Sequence, residues 1–313
     1  MSVTAAWNQN LLKICNNDEN YMTWRKANRI NRAHSNILTQ HRNHSMVEEP
    51  TKLQQQLLAT ASIVREKMGT TSIPSSEDLF FDSSFVKPNG TQRGFCNWLL
   101  PGRLMVGQYP GQNPLHDGPT AQAVTQHVQR ISNAHVSVFC SLQRETPPQD
   151  DNHAWADCKS YLQPEAVRRE LPRPFIQYAP LVRQYNNKTP VFLHKPIDDL
   201  SVPESQEPLQ RLLLQLLEYI AQEGEQPTAV YVHCWGGLGR AGLIGACLLS
   251  LVYPHLSSKQ ILQWVQRGYA TRLGHEQLEE QYSYSPQTCP QRAYVEAFVQ
   301  EYQELYRQQQ FSN

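Results

Sequence analysis

The amino-acid sequence predicts an α/β fold, with a central, mostly parallel sheet of about five strands flanked by helices. Three observations lead there. From about Phe80 onward, short β-branched or aromatic runs alternate with amphipathic helical patterns. One unit, a strand over 191–197, a helix over 208–223 and a strand over 229–233, has the order of a crossover that makes its two strands parallel. The run from Ala241 to Tyr253 is apolar but too short to cross a bilayer, so it reads as a helix buried against the sheet.

The elements follow in order. Residues 1–78 form a polar extension rich in Asn, Gln, His and Ser, expected to be partly disordered. Within it only 51–69 has helical character, through Leu53, Leu57, Leu58, Ile63 and Val64, and 72–78 reads as a linker. Residues 79–313 form the main domain. Its strands are predicted over 103–106, 136–140, 175–178, 191–197 and 229–233. The helix over 119–132 begins at Pro119, where a missing N–H costs nothing, and puts Ala123, Val124, Val128 and Ile131 on one face. The helix over 208–223 carries Leu209, Leu212, Leu213, Leu216, Leu217 and Ile220 and stops at Gly224. Two more helices are predicted over 257–267 and 291–308.

Composition narrows the function. With 28 basic and 28 acidic side chains the net charge is zero, which excludes the broad cationic field that dominates nucleic-acid binding. The N-terminus lacks a charged segment followed by an apolar block, so no secretory signal is expected. Seven cysteines at irregular spacings, without a CxxC, point to a reduced, cytoplasmic protein. Arg25, Lys26, Arg29, Arg32 and Arg42 leave organelle targeting as the alternative. His34, His41 and His44 lack Cys or carboxylate partners at ligand spacing, so no metal site is expected.

The chemistry gathers in the loops that leave the two parallel strands, at the carboxyl edge where open α/β sheets bind ligands. The second loop reads His233-Cys234-Trp235-Gly236-Gly237-Leu238-Gly239-Arg240-Ala241-Gly242. A Cys with an Arg six positions later occurs by chance in about one chain in three; adding His233, Gly237 and Gly239 lowers that below about one in ten thousand. Its glycines let successive backbone N–H groups face one concavity, an anion nest, to which the following helix adds its positive end. Arg240 supplies a planar fork for two phosphate oxygens, and Cys234 at the base is expected to act as a thiolate. His233 is expected to orient the loop by hydrogen bonding to its backbone.

This loop resembles the signature of the cysteine-based protein tyrosine phosphatase superfamily, and HCWGGLGRAGLIGACLL is most similar to its dual-specificity branch, in particular kinase-associated phosphatase-like proteins. The resemblance implies a protein tyrosine phosphatase-like fold and a phosphatase domain over 79–313. It implies that Cys234 attacks phosphorus to form a phosphocysteine, while Trp235, Gly236, Gly237, Leu238, Gly239 and Arg240 hold the phosphate. It implies phosphorylated protein substrates and no cofactor. In HKPIDDLSVP (194–203), Asp199 matches the family's general acid and Asp198 is the alternative; the plainer reading is that both merely cap the following helix. In Gln287-Thr288-Cys289-Pro290-Gln291, Gln287 is the candidate for positioning the hydrolytic water and Gln291 the second choice. His194, Lys195 and Arg183 are basic neighbours of the first loop, although single surface cations are usually just solvated.

The sequence departs from the family at Ala241, where a Ser or Thr hydroxyl usually helps the sulfur to leave. Three functions therefore stand. The first is a phosphatase of phosphotyrosine or phosphoserine/threonine in proteins. The second is a phosphatase of inositol lipids or nucleic-acid 5′ ends, disfavoured because residues 235–239 contain no Lys. The third is a slow-turnover, phosphate-binding pseudophosphatase.

Overall fold

The computed structural model describes residues 50–69, 72–81, 85–86, 92–111, 121–152, 155, 175–223, 228–273 and 284–312. Helices α1 (Lys52–Met68) and α2 (Ser76–Leu79) come first, then a two-residue ladder of β1 (Phe85–Val86) and β2 (Gln92–Arg93). The main sheet comprises β3 (Cys96–Leu100), β4 (Leu104–Gly107), β5 (Val136–Gln143), β6 (Val191–Ile197) and β7 (Ala229–His233). Helices α3 (Ala121–Asn133), α4 (Ala179–Tyr185), α5 (Gln206–Ala221), α6 (Arg240–Val252), α7 (Ser258–Leu273) and α8 (Cys289–Ser312) complete the order.

The sheet order is β3-β4-β7-β5-β6, and only β3 runs antiparallel to its neighbour. Strand alternation divides the core into two. Val138, Cys140 and Leu142 of β5, with Val230 and Val232 of β7, face a layer built from α1, α5, α6, α7 and α8. Phe139 and Tyr231 face the other side, where α3 packs with Tyr109, Phe175, Tyr178 and Val182. Every residue of β5 and β7 is buried, as expected for central strands covered on both faces. The β6-α5-β7 unit makes parallel strands, but β5 lies between them, so both loops leave the same edge one strand apart.

Helix α1 starts with a capping box in which the Thr51 side chain accepts from Gln54 N–H and Gln54 reaches back to Thr51 N–H. Its Leu57, Leu58, Ala61 and Val64 join the same core as α5 and α6. The predicted linker over 72–78 contains the single turn α2, capped by Ser75 and Asp78. Residues 1–49, including His34, His41, His44 and the basic N-terminal residues, lie outside the described residues, as does Gly224.

One predicted strand is corrected. Residues 175–178 make no strand but lead into α4, because Tyr178 and Ala179 N–H groups both donate to the Gln149 side chain at 3.1 Å instead of to a neighbouring strand. Aromatic enrichment there reflects burial, not ladder pairing. The missing fifth strand is β3, joined to β4 through Pro101-Gly102-Arg103, with Gly102 at φ 70°. Helix α7 also runs beyond its predicted end at 267 to Leu273. Gly268 does not break it, because this turn packs against Asn97 and Trp98 of β3.

Candidate active site

The loop between β7 and α6 carries Cys234 at its base, buried, with its N–H donating to Gly107 O at 3.4 Å. Gly237 adopts φ 72°, and a Cβ there would overlap the Gly107–Gln108 backbone, so only glycine lets the loop lie on the end of β4. Four of the loop carbonyls are engaged away from the loop's hollow. Trp235 O accepts from Tyr109 N–H at 2.9 Å, Gly237 O from Arg272 Nη2 at 2.8 Å, Leu238 O from Ser285 Oγ at 2.8 Å, and Gly239 O from Leu243 N–H at 2.9 Å. By contrast, none of the amides from Trp235 to Arg240 donates to another described residue. Because N–H and C=O point in opposite directions across a trans peptide, that pattern turns successive donors into one concavity.

Arg240, at the first position of α6, is almost fully buried. Its Nη1 donates to Glu145 Oε2 at 2.8 Å and to Ile197 O at 3.0 Å, and its Nη2 lies 2.9 Å from Asp199 Oδ1. Burial alone works against the charge, but Glu145 and Asp199 outweigh it and hold the guanidinium pKa above its ordinary value. Glu145 carries no sequence signal for this place. It sits just beyond β5, at the same sheet edge, and only the topology places it beside Arg240.

The two aspartates diverge. Ser201 N–H closes a turn onto Asp198 O at 3.1 Å, and Leu200 within that turn has φ 57°. Asp198 points outward, 2.7 Å from Arg144 Nε, whereas Asp199 points onto Arg240. Arg144 also pairs with Glu204 at 2.8 Å.

The third motif lies against both loops. A Cβ on Gly239 would come within 3.3 Å of Gln287 Oε1 and 3.1 Å of Gln291 Nε2, so both amides border the nest. Gln291 is buried with both ends engaged: Oε1 accepts from Thr288 N–H at 3.1 Å, and Nε2 donates to Ser201 O at 2.9 Å. Thr288 Oγ1 donates to Leu200 O at 3.3 Å, so this turn also fastens the aspartate loop.

His233 also reaches away from the loop. Its Nε2 shares a hydrogen bond of 2.7 Å with Tyr178 Oη on the other side of the sheet, so it anchors the strand end to the aromatic layer. Burial pushes the imidazole down to about 3 and keeps it neutral, opposed only in part by the Cys234 backbone. His194 Nε2 bonds Gln143 O at 2.8 Å. Arg183 pairs with Asp151 at 3.2 Å and lies over the Phe192 ring, tied into its own surface. Ala241 is fully buried and contributes only a methyl group.

Comparisons with known proteins concern the segment that carries these loops. Residues 176–288 match the family model described as PTP-SAK, Swiss Army Knife protein, DSP-PTPase phosphatase domain. Over 117 residues, 36% of the chain, the sequence is 30% identical to "Putative tyrosine phosphatase 067L" of Invertebrate iridescent virus 3, of which it covers 46%. Among solved structures it is similar to kinase associated phosphatase with its catalytic cysteine substituted by serine, at 16% identity and TM-score 0.41, over 64% of this chain and 86% of that one. It is also similar to Tk-PTP in its active form, at 17% identity and TM-score 0.34, over 67% of this chain and 96% of that one. No helix among the described residues is long and apolar enough to cross a membrane. The segment 176–288, which contains the aspartate loop, the cysteine loop and the start of the glutamine motif, is thus similar to tyrosine/dual-specificity phosphatases, and the chain spans less than half the length of the curated relative it matches.

Proposed function

We propose that this protein is an active phosphatase that hydrolyses phosphotyrosine and phosphoserine/threonine monoesters of proteins through a phosphocysteine intermediate. The observation that carries this reading is the convergence of Cys234, a run of unengaged amides and a buried Arg240 at one sheet edge, bordered by Asp199 and Gln287. In the first step the Cys234 thiolate attacks phosphorus, the bond from phosphorus to the leaving oxygen breaks, and Asp199 gives that oxygen its proton. The loop amides and Arg240 hold the non-bridging oxygens, where charge is concentrated. Incoming phosphate takes Asp199's place on Arg240 Nη2 and frees the carboxyl for the leaving group.

In the second step a water oriented by Gln287 passes a proton to the Asp199 carboxylate and attacks phosphorus. The bond to sulfur breaks, releasing inorganic phosphate and restoring the thiolate. Gln287 takes this part because both ends of the Gln291 amide are committed. Ala241, which offers sulfur no hydroxyl in this step, favours a second reading, a phosphate-binding pseudophosphatase that turns over slowly. We further assign residues 79–313 to the phosphatase domain, with 1–78 as an extension, and a reducing, cytoplasmic setting that keeps Cys234 a free thiol.

The test is Cys234→Ser, assayed by phosphate release from p-nitrophenyl phosphate and from phosphotyrosyl and phosphothreonyl peptides. Because serine oxygen is not ionised near neutral pH, activity is expected to be abolished while the fold is kept. Residual activity above about a tenth of wild type would refute the nucleophile assignment.

A further inference from the structure

The nest depends on carbonyls that point away from it, and they are held in two ways. Trp235 O and Gly239 O are taken by backbone amides of β4's extension and of α6, which come with the fold. Of the three carbonyls between them, Gly237 O and Leu238 O are taken by side chains, Arg272 and Ser285. The direction of these two carbonyls therefore rests on side chains and not on backbone ladders. Glycine at 236, 237 and 239 removes the Cβ that would otherwise restrict rotation of the peptide planes around Leu238. A flip of either plane would replace an inward N–H with an inward C=O, a donor with a repulsive acceptor.

Both side chains are placed for this task. Arg272, at the end of α7, is 3% exposed. Its Nε donates to Asn97 Oδ1 at 2.7 Å, Asn97 Nδ2 donates in turn to Trp98 O at 2.7 Å, and the Tyr269 ring lies 4.9 Å from the guanidinium carbon. Among the described residues no carboxylate pairs with it, and its hydrogen bonds go to β3 and the loop. A buried cation without a carboxylate is costly unless it serves something. Burial pushes its pKa down, opposed by Tyr269, Cys96, Tyr231 and Cys234 around it. Ser285, 4% exposed, reaches the loop because residue 242 is glycine: a Cβ at 242 would overlap Ser285 Oγ. Its own N–H donates to Gln266 Oε1 of α7 at 2.8 Å, which fixes the turn that presents the hydroxyl.

We propose that Arg272 and Ser285 are positioning residues that clamp the Gly237 and Leu238 carbonyls outward and so keep the Leu238 and Gly239 amides aimed at the phosphate. The clamp acts on the cradle from outside, where Ala241 supplies no hydroxyl from within, and touches neither substrate nor sulfur. It rests on the function proposed above, but its readout does not depend on turnover. Binding of orthovanadate, and of tungstate as a second oxyanion, is measured by titration calorimetry on the full chain for wild type, Ser285→Ala and Arg272→Met. The Leu238 and Gly239 amide signals are followed by NMR, and melting temperatures are recorded without oxyanion.

Ser285→Ala is expected to weaken both oxyanions by about two- to tenfold, the worth of one neutral hydrogen bond. Arg272→Met is expected to weaken them by about ten- to a hundredfold, since the lost donor is charged. In both variants the two amide signals should lose the shift that oxyanion produces in wild type. If the variants bind as tightly as wild type with the same amide shifts, the clamp is refuted. Weaker binding with wild-type amide shifts would also refute it, since the loss would then come from elsewhere. If wild type itself binds neither oxyanion, the proposed function fails instead. Should Arg272→Met not fold, Ser285→Ala, which removes a single oxygen, decides alone.

Discussion

Replacing Asp199 by Asn and, separately, Asp198 by Asn tests how the structure divides two adjacent carboxylates. Both make ion pairs of similar length, 2.9 Å from Asp199 to Arg240 and 2.7 Å from Asp198 to Arg144. Both carboxylates are about half exposed, at 51% and 58%, but their partners are not alike: Arg240 is 1% exposed and Arg144 35%. An exposed pair is worth about 0–1 kcal/mol, so Asp198→Asn should change kcat by less than about fivefold with any substrate. Asp199→Asn removes the proposed proton donor at the mouth of the nest, and general acid catalysis typically contributes ~10²–10⁴-fold. That factor should appear in full with a phenyl phosphate or a phosphothreonyl peptide, whose leaving oxygens are basic. With p-nitrophenyl phosphate, which leaves without help, it should shrink to within about tenfold. The assay is kcat across a series of aryl phosphates, plotted against leaving-group basicity. A steep slope for Asp198→Asn and a wild-type slope for Asp199→Asn would refute the reasoning, and with it the reading of the Asp198–Ser201 turn as the device that aims one carboxylate inward.

The remaining predictions concern the surroundings of the loop. Glu145→Gln keeps the shape but removes the charge facing buried Arg240; losing about 2–3 kcal/mol of charge-assisted bonding should lower the melting temperature by about 4–12 °C, and a shift under about 1 °C would show that Ile197 O and Asp199 suffice. Ala241→Ser restores a hydroxyl beside the sulfur: the wild type should show a burst of phenolate near one equivalent before a slower steady rate, and the variant should raise the steady rate by up to about ten- to a hundredfold with the burst unchanged. Linear release without a burst, together with an unchanged rate in Ala241→Ser, would mean that Ala241 only packs. Burial holds His233 and His127 neutral with pKa values down to about 3, against an ordinary 6.5. The unfolded chain therefore binds more protons below pH 6.5, and stability is lost as pH falls towards 3, by about 1.4 kcal/mol per unit for each histidine. Melting temperatures should fall steadily from pH 6.5 to 5, and a flat profile over that range would contradict neutral burial.

The legible parts of the fold are those that local periodicity governs. Strands β6 and β7 have the bounds expected from their runs, and α6 is buried along its whole length, as an apolar segment without polar stripes must be. Where pattern and pairing come apart, the reading failed. Phe175 to Tyr178 has the composition of a strand, but Gln149 takes up the backbone amides at its end. Cys96 to Leu100, outside the predicted strands, becomes a strand by pairing with β4. The Pro-Gly pair at 101–102 between two apolar runs was the turn signal that would have revealed it.

In the candidate site, the sequence by itself determined the loop, since Cys234, its glycines and Arg240 lie within a few residues and their spacing is a property of the local chain. It also narrowed the aspartates to a pair and the glutamines to another, because each pair shares one short segment. Tertiary structure alone decided which aspartate faces Arg240, which glutamine amide is already committed at both ends, and which groups hold the loop in shape. Glu145 is 95 residues from Arg240 along the chain, Tyr178 is 55 from His233, and Arg272 is 35 from Gly237. Such pairs arise where strands and helices end at a common edge, and no spacing rule connects them. A single sequence encodes the donors of an anion cradle locally, whereas the direction in which those donors point depends on partners that only the folded sheet brings near.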